Sequence, residues 1–202
     1  SEMKNKWVKK ITQSIVILPH FMSWTVVSML SVAILASNGV INQILQKFGS
    51  SGIEFYNTPS VWPVVLVILR IWQGAGFGSI VYLATITGFD SSIYEAAAVD
   101  GASRWQCITR LTLPMLKNTI IMLTIMSVGK IFNGDFGMIY AMVGSNSVLY
   151  PTTDVIDTYL FRQLLENPSM GQTAAVGLVQ SMLGFLFVVL CNKVANKWSP
   201  ES

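Results

Sequence analysis

The sequence predicts an all-α integral membrane protein of about four spanning helices, and three observations predict it. Hydrophobic residues make up 52% of the chain and charged residues only 11%, whereas a soluble domain carries about 25% charged residues. The charges sit between long apolar runs rather than within them. Four windows reach the roughly 20 mainly apolar residues that crossing the hydrocarbon core requires.

In order, the windows are about residues 11–37, interrupted by Pro19 and His20; 61–88, with Arg70 inside; 115–136, with Lys130 inside; and 173–195. They are too long for barrel strands and lack alternation, so each reads as helix. In the second, Gly74, Gly76 and Gly78 suit close helix approach or local unwinding beside a cavity.

Positive charge sets the orientation. Lys4, Lys6, Lys9, Lys10, Arg104, Arg110, Lys117, Lys193 and Lys197 fall in one set of connecting segments, and Lys47 and Arg162 in the other. The first set is therefore expected in the cytoplasm, with both ends of the chain. The outer segments carry Glu54, Asp135, Asp154, Asp157 and Glu166. An interfacial helix is expected over residues 41–48, with Ile41, Ile44, Leu45 and Phe48 on one face. Trp62 fits the aromatic belt at the membrane surface. A second outer helix is expected over 154–165, with Val155, Ile156, Tyr159 and Leu160 as its apolar face. The chain begins at Ser1, without initiator methionine or signal-peptide pattern, and reads as a fragment whose N-terminal part is absent.

Several function classes recede. No basic stripe with interleaved aromatics points to nucleic acid. Cys107 and Cys191 lie in different environments and form neither a disulfide framework nor a metal spacing. No phosphate-binding glycine loop is present, so any ATP hydrolysis belongs to another chain. No convergent nucleophile and base in the spans suggests an intramembrane enzyme. His20 fits a bond to a local carbonyl at the kink, and Asp154 and Asp157 fit capping or docking roles.

The most informative stretch is the polar loop 89–114, FDSSIYEAAAVDGASRWQCITRLTLP. Ser92 followed by Glu95 suggests a capping box, starting a short helix over 93–100 that Ala96, Ala97 and Ala98 favour. Gly101 permits a bend. A second short helix follows, with Trp105, Ile108 and Leu111 on one side, and Pro114 suits the first turn of the next span. Read from the residues alone, this helix–bend–helix is either a partner-binding element or an interfacial connector.

Glu95-Ala96-Ala97, then Asp100-Gly101, then Leu111-Thr112-Leu113-Pro114 resembles the EAA loop of permease subunits in binding-protein-dependent ABC importers, with Leu111 where isoleucine is usual. Leu18-Pro19-His20-Phe21, Trp62-Pro63, Tyr82-Leu83-Ala84, Asp154–Tyr159 and Ala174–Leu178 are similar to the carbohydrate-uptake branch, of polysaccharide or multiple-sugar type. The resemblance implies a type I importer core in a bacterial cytoplasmic membrane. It implies a second, different permease subunit, an ABC ATPase dimer using ATP and Mg, an extracellular substrate-binding protein and a sugar or oligosaccharide solute. This chain itself is expected to bind no cofactor or metal and to catalyse nothing. Glu95, Ala96, Ala97, Asp100, Gly101, Leu113 and Pro114 are then the ATPase-coupling residues. Ionisable groups in spans mark functional candidates, and the family borders its cavity with the second and third spans. The candidate pathway residues are Arg70, Trp72, Gln73, Gly74, Phe77, Ser127, Lys130, Asn133 and Gly134. A membrane scaffold or channel subunit whose loop binds another partner is the alternative.

Overall fold

A computed structural model describes residues 6–166 and 170–198, and its regular elements are helical throughout. Lys4 lies outside the described residues. The helices are α1 (Lys6–Ile17), α2 (Trp24–Leu35), α3 (Val40–Lys47), α4 (Trp62–Thr87), α5 (Ser91–Val99), α6 (Arg104–Cys107), α7 (Leu113–Met115), α8 (Lys117–Val128), α9 (Phe136–Val143), α10 (Tyr150–Thr153), α11 (Ile156–Glu166) and α12 (Met170–Trp198). Three helical stretches are long and apolar enough to cross a membrane: Trp24–Lys47, Pro59–Thr87 and Met170–Ala195. Arg104–Met115 and Lys117–Val128 make a fourth if the pair, bent by 54°, is one span.

The chain forms two compact units. One runs to Gly76 and includes Asn133–Thr173; the other comprises Phe77–Phe132 and the chain from Ala174. The first is built on Val27, Trp62, Leu66, Met138, Ile139, Met142, Val143 and Leu149. Trp62 corrects an expectation: it is fully buried rather than belted at a membrane surface, and its indole N–H donates to the Phe55 carbonyl at 2.8 Å. Two tight turns, Phe55–Asn57 and Pro59–Val61, fold the preceding segment over the start of α4. An indole so buried needs an acceptor, and the folded segment supplies one.

The interruption at Pro19 is a full break. A 3₁₀ turn, Leu18–Phe21, separates α1 from α2, and Ser23 caps α2 by accepting from the Val26 N–H at 3.3 Å. Near the middle of α4, the Gln73 amide donates to the Met22 carbonyl at 3.1 Å. Gly76 meets the end of α1 so closely that a Cβ there would sit 2.1 Å from the Val16 carbonyl oxygen. Of the three glycines, Gly76 alone makes this approach; a Cβ at Gly74 or Gly78 meets nothing within 4 Å, and α4 is not unwound.

α3 forms where an interfacial helix is expected, with Ile44 and Phe48 exposed. Its buried residue is polar. Asn42 is fully buried, donates to the carbonyls of Ala36 and Ile53, and accepts from the Ile53 N–H at 2.7 Å. α11 likewise leaves Ile156 and Tyr159 about half exposed and buries Thr158.

In the second unit, helix α8 ends at Val128 rather than at residue 136, and Lys130 lies in the turn that follows. That turn approaches α12 through glycines: a Cβ at Gly184 would lie 3.0 Å from the Gly129 carbonyl oxygen. The buried Gln180 side chain donates to the Phe132 carbonyl at 2.8 Å, and Phe132 meets Phe187 edge-on.

Candidate coupling loop and solute pathway

The loop after α4 is a capped, hydrogen-bonded bend. Ser92 is not its N-cap. Asp90, with extended backbone, accepts from the Ser92 N–H at 2.9 Å, so α5 starts two residues earlier than the sequence pattern suggests. A carboxylate is a better acceptor than a hydroxyl and complements the positive end of the helix; that bond holds the Asp90 carboxyl below its ordinary range. Glu95 is consequently two positions too far along to close a capping box, and its side chain is exposed.

α5 ends in a Schellman motif. Gly101 has φ +75°, its N–H donates to the Ala98 carbonyl at 3.1 Å, and the Ala102 N–H donates to the Ala97 carbonyl at 2.9 Å. The glycine of the motif is therefore the residue that makes the left-handed cap, and the alanines before it supply the acceptors. A true capping box starts α6: Ser103 accepts from the Gln106 N–H, and the Gln106 side chain accepts from the Ser103 N–H at 2.7 Å. Ser-x-x-Gln at 103–106 is a sequence signal that the expectation passed over.

A π turn, Ile108–Thr112, leads into α7, so Leu111-Thr112-Leu113-Pro114 is wound rather than a loop closure. Pro114 cannot donate to a carbonyl one turn back, and a wider turn relieves the clash its ring would cause. The sharp bend follows at Leu116, before α8. Tyr94 and Thr112 hydroxyls hydrogen-bond at 2.9 Å, tying α5 to the π turn. Two apolar side chains stand out of this small assembly: Val99 is 88% exposed and Trp105 72%.

The candidate pathway residues fall in both units. In the first, the Arg70 guanidinium pairs with Asp135 at 3.2 Å, and Asp135 also caps α9 by accepting from the Met138 N–H. Arg70 is thus neutralised by the segment leading into α9. Gln73 is buried at the α1–α2 break, while Trp72 is partly exposed. Asn133 is exposed, and the Gly134 N–H donates to the Asp157 carboxylate at 2.5 Å. A Cβ at Gly134 would press on Val155, which is why this position is glycine. In the second unit, Phe77 is about half exposed, Ser127 bonds back to the Leu123 carbonyl, and Lys130 is exposed. Asp135, which the sequence placed only as an outer-segment acid, and Asp157, read there as a capping or docking residue, are the groups that organise Arg70 and Gly134.

Close by, Asp154 receives Arg162 through both guanidinium nitrogens and the Thr158 hydroxyl at 2.6 Å; Arg162 also lies 3.9 Å from the centre of the Tyr150 ring. The Arg162 hydrogen bonds hold the Asp154 carboxyl below its ordinary range. No cluster of three or more metal-ligating side chains occurs among the described residues.

This helical arrangement is that of a transport-system membrane subunit. The chain belongs to the binding-protein-dependent transport system inner membrane component family, whose model matches residues 2–198. It is 32% identical over its full length to the polygalacturonan/rhamnogalacturonan transport system permease protein YteP of Bacillus subtilis (strain 168), and spans 62% of that protein's length. Among solved structures it is similar to a chain of a bacterial ABC transporter involved in import of the acidic polysaccharide alginate (36% identity, TM-score 0.91, covering 98% of this chain and 69% of that one). A second structure of a bacterial alginate ABC transporter, in complex with an alginate pentasaccharide-bound periplasmic protein, matches with 35% identity and a TM-score of 0.91, covering all of this chain and 69% of that one.

Proposed function

We propose that the chain is the permease subunit of an ATP-driven importer. In this reading it forms part of the pathway for a sugar or oligosaccharide and couples to a separate ATPase through residues 89–114. The observation that carries the reading is the α5–Gly101–α6 assembly: a capped, twice-tied bend that presents Val99 and Trp105. A short rigid element transmits a push that a flexible linker would absorb, and exposed apolar side chains on a polar loop suit a protein partner. Glu95, Ala96, Ala97, Asp100 and Gly101 form or flank that surface, and Leu113 and Pro114 carry it into the next span.

The relatives support the setting. One is named for polygalacturonan/rhamnogalacturonan transport, and a matched structure holds an alginate pentasaccharide-bound periplasmic protein. By extension the partners here are a second permease, an ATPase dimer holding ATP and Mg, and an extracellular binding protein. In this reading the nucleotide and its metal are held by the ATPase. Its lysine-rich segments lie on the cytoplasmic side, with both ends. The ATPase must bind the loop differently in its two states, since equal binding shifts nothing.

The test is nucleotide-driven uptake of an oligosaccharide by the full permease reconstituted with its ATPase and binding protein. Glu95→Ala and Trp105→Ala should lower uptake while leaving membrane insertion intact. Wild-type uptake in both variants would remove the coupling assignment. Gln73→Ala and Asn133→Ala address the pathway: a change in sugar preference supports it, and a change in assembly alone opposes it.

A further inference from the structure

We propose that the groove between α7–α8 and α12 binds one anionic phospholipid, with its acyl chains along the groove and its phosphate at the end beside the α5–α6 loop. This concerns the membrane face of the chain and goes beyond the importer reading.

Helix geometry makes the groove. At one end the turn after α8 touches α12: a Cβ at Gly129 would lie 2.9 Å from a Val188 methyl, and Phe132 meets Phe187 edge-on. At the other end the 54° bend before α8 carries α7 off the α8 axis. The space between has a volume of about 830 Å³, within the roughly 300–1,000 Å³ typical of ligand sites. Leu113, Ile121, Ile125, Phe187, Leu190 and Val194 supply its walls, and Lys117 is the charged side chain among the lining residues. Residues 117–125 and 187–195 flank it. At about 1.5 Å per residue each stretch is ~12 Å long, close to the ~15 Å depth of one hydrocarbon leaflet.

Charge gives the groove a direction. Arg110 follows the lining residue Thr109 on the π turn, and Lys193 precedes the lining residue Val194 near the end of α12. Both are exposed, and neither forms an ion pair among the described residues. No acidic side chain is among the described residues lining the groove. The walls are thus apolar and one end is cationic, the complement of hydrocarbon chains that carry an anionic head. Basic residues at a membrane surface attract such heads. A zwitterionic lipid brings the same chains without net charge, so it matches the walls and not the end. A protein helix would fill the walls without using the two cations.

The experiment uses the full permease assembled with its partner subunits in phosphatidylcholine nanodiscs. These carry a trace of lipid with a diazirine in its acyl chain, either phosphatidylglycerol or, separately, phosphatidylcholine. After illumination the cross-linked peptides are mapped by mass spectrometry. Phosphatidylglycerol should label residues 117–125 and 187–195 about 30-fold more than phosphatidylcholine, the effect of two cations at a membrane surface. Arg110→Gln or Lys193→Gln should lower that preference about fivefold each, and the pair should remove it. Ile121→Trp with Leu190→Trp, which fills the groove, should abolish labelling of both stretches while labelling elsewhere on the chain continues. Equal labelling by the two lipids in wild type would mean surrounding bilayer only and overturns the proposal. No labelling of either stretch would mean that protein covers the groove, and overturns it too. A preference that survives the loss of both cations also overturns it. If the tryptophan pair prevents assembly, the glutamine variants decide alone.

Discussion

Gly101 is the position where one methyl group tests how the loop works. At φ +75° the residue sits in the left-handed region, which costs an L-residue with a Cβ roughly 1–2 kcal/mol. A Cβ built there meets nothing within 4 Å, so Gly101→Ala adds this backbone cost and no clash. A penalty of that size changes a two-state population about 5- to 30-fold. The population at stake is the Schellman bend, whose signature is the Ala102 N–H bonded to the Ala97 carbonyl. Hydrogen exchange on the assembled permease should show the Ala102 amide losing about 5- to 30-fold of its protection in Gly101→Ala. Gly101→Asn should lose less, because asparagine tolerates the left-handed region. Nucleotide-driven uptake should fall in the same order, with Gly101→Pro lowest because proline removes the N–H donated to Ala98. Undiminished protection of Ala102 in Gly101→Ala, or asparagine proving worse than alanine, would refute the assignment of the glycine to the cap.

Three further outcomes follow from the packing. Gly76→Ala places a methyl 2.1 Å from the Val16 carbonyl oxygen and should cost about 1–3 kcal/mol, read as a fall in melting temperature in detergent; Gly74→Ala and Gly78→Ala should leave it unchanged or raised. Asn42→Leu strands the Ile53 N–H and two carbonyls and should cost about 2–4 kcal/mol, measured by thermal unfolding. Asp154→Asn should cost about 1 kcal/mol at neutral pH, a charge-assisted hydrogen bond discounted for partial exposure. Because Arg162 lowers the folded-state pKa of Asp154, that stabilisation is complete above the ordinary carboxylate pKa and is lost as pH falls through the lowered value. Wild type and Asp154→Asn should therefore converge in acid and separate above about pH 4.

The helical class and the bend of the loop at Gly101 were legible in the sequence because each depends on local pattern. Apolar runs of membrane length, alanines before Gly101 and Pro114 after Leu113 are properties of neighbouring residues. The loop's capping was only half legible. Ser92-x-x-Glu95 and Ser103-x-x-Gln106 offer the same signal, and the competition from Asp90, a stronger acceptor two residues earlier, decides against the first.

What tertiary structure alone decided concerns residues whose partners are distant in the chain. Trp62 looked like an interfacial anchor until the Phe55 carbonyl was found to cover its indole. Arg70 was legible as an ionisable group in a span, but that Asp135 is its partner was not. Among three similar glycines, only the crossing of α1 singles out Gly76. The groove beside Ile121 needs α12 to supply Leu190 and Val194. The physical reason is common to all four. Hydrophobic period and caps act over a few residues, so they can be read along the chain. Burial, ion pairing and backbone approach depend on which segments meet, and that is determined only when the whole chain has packed.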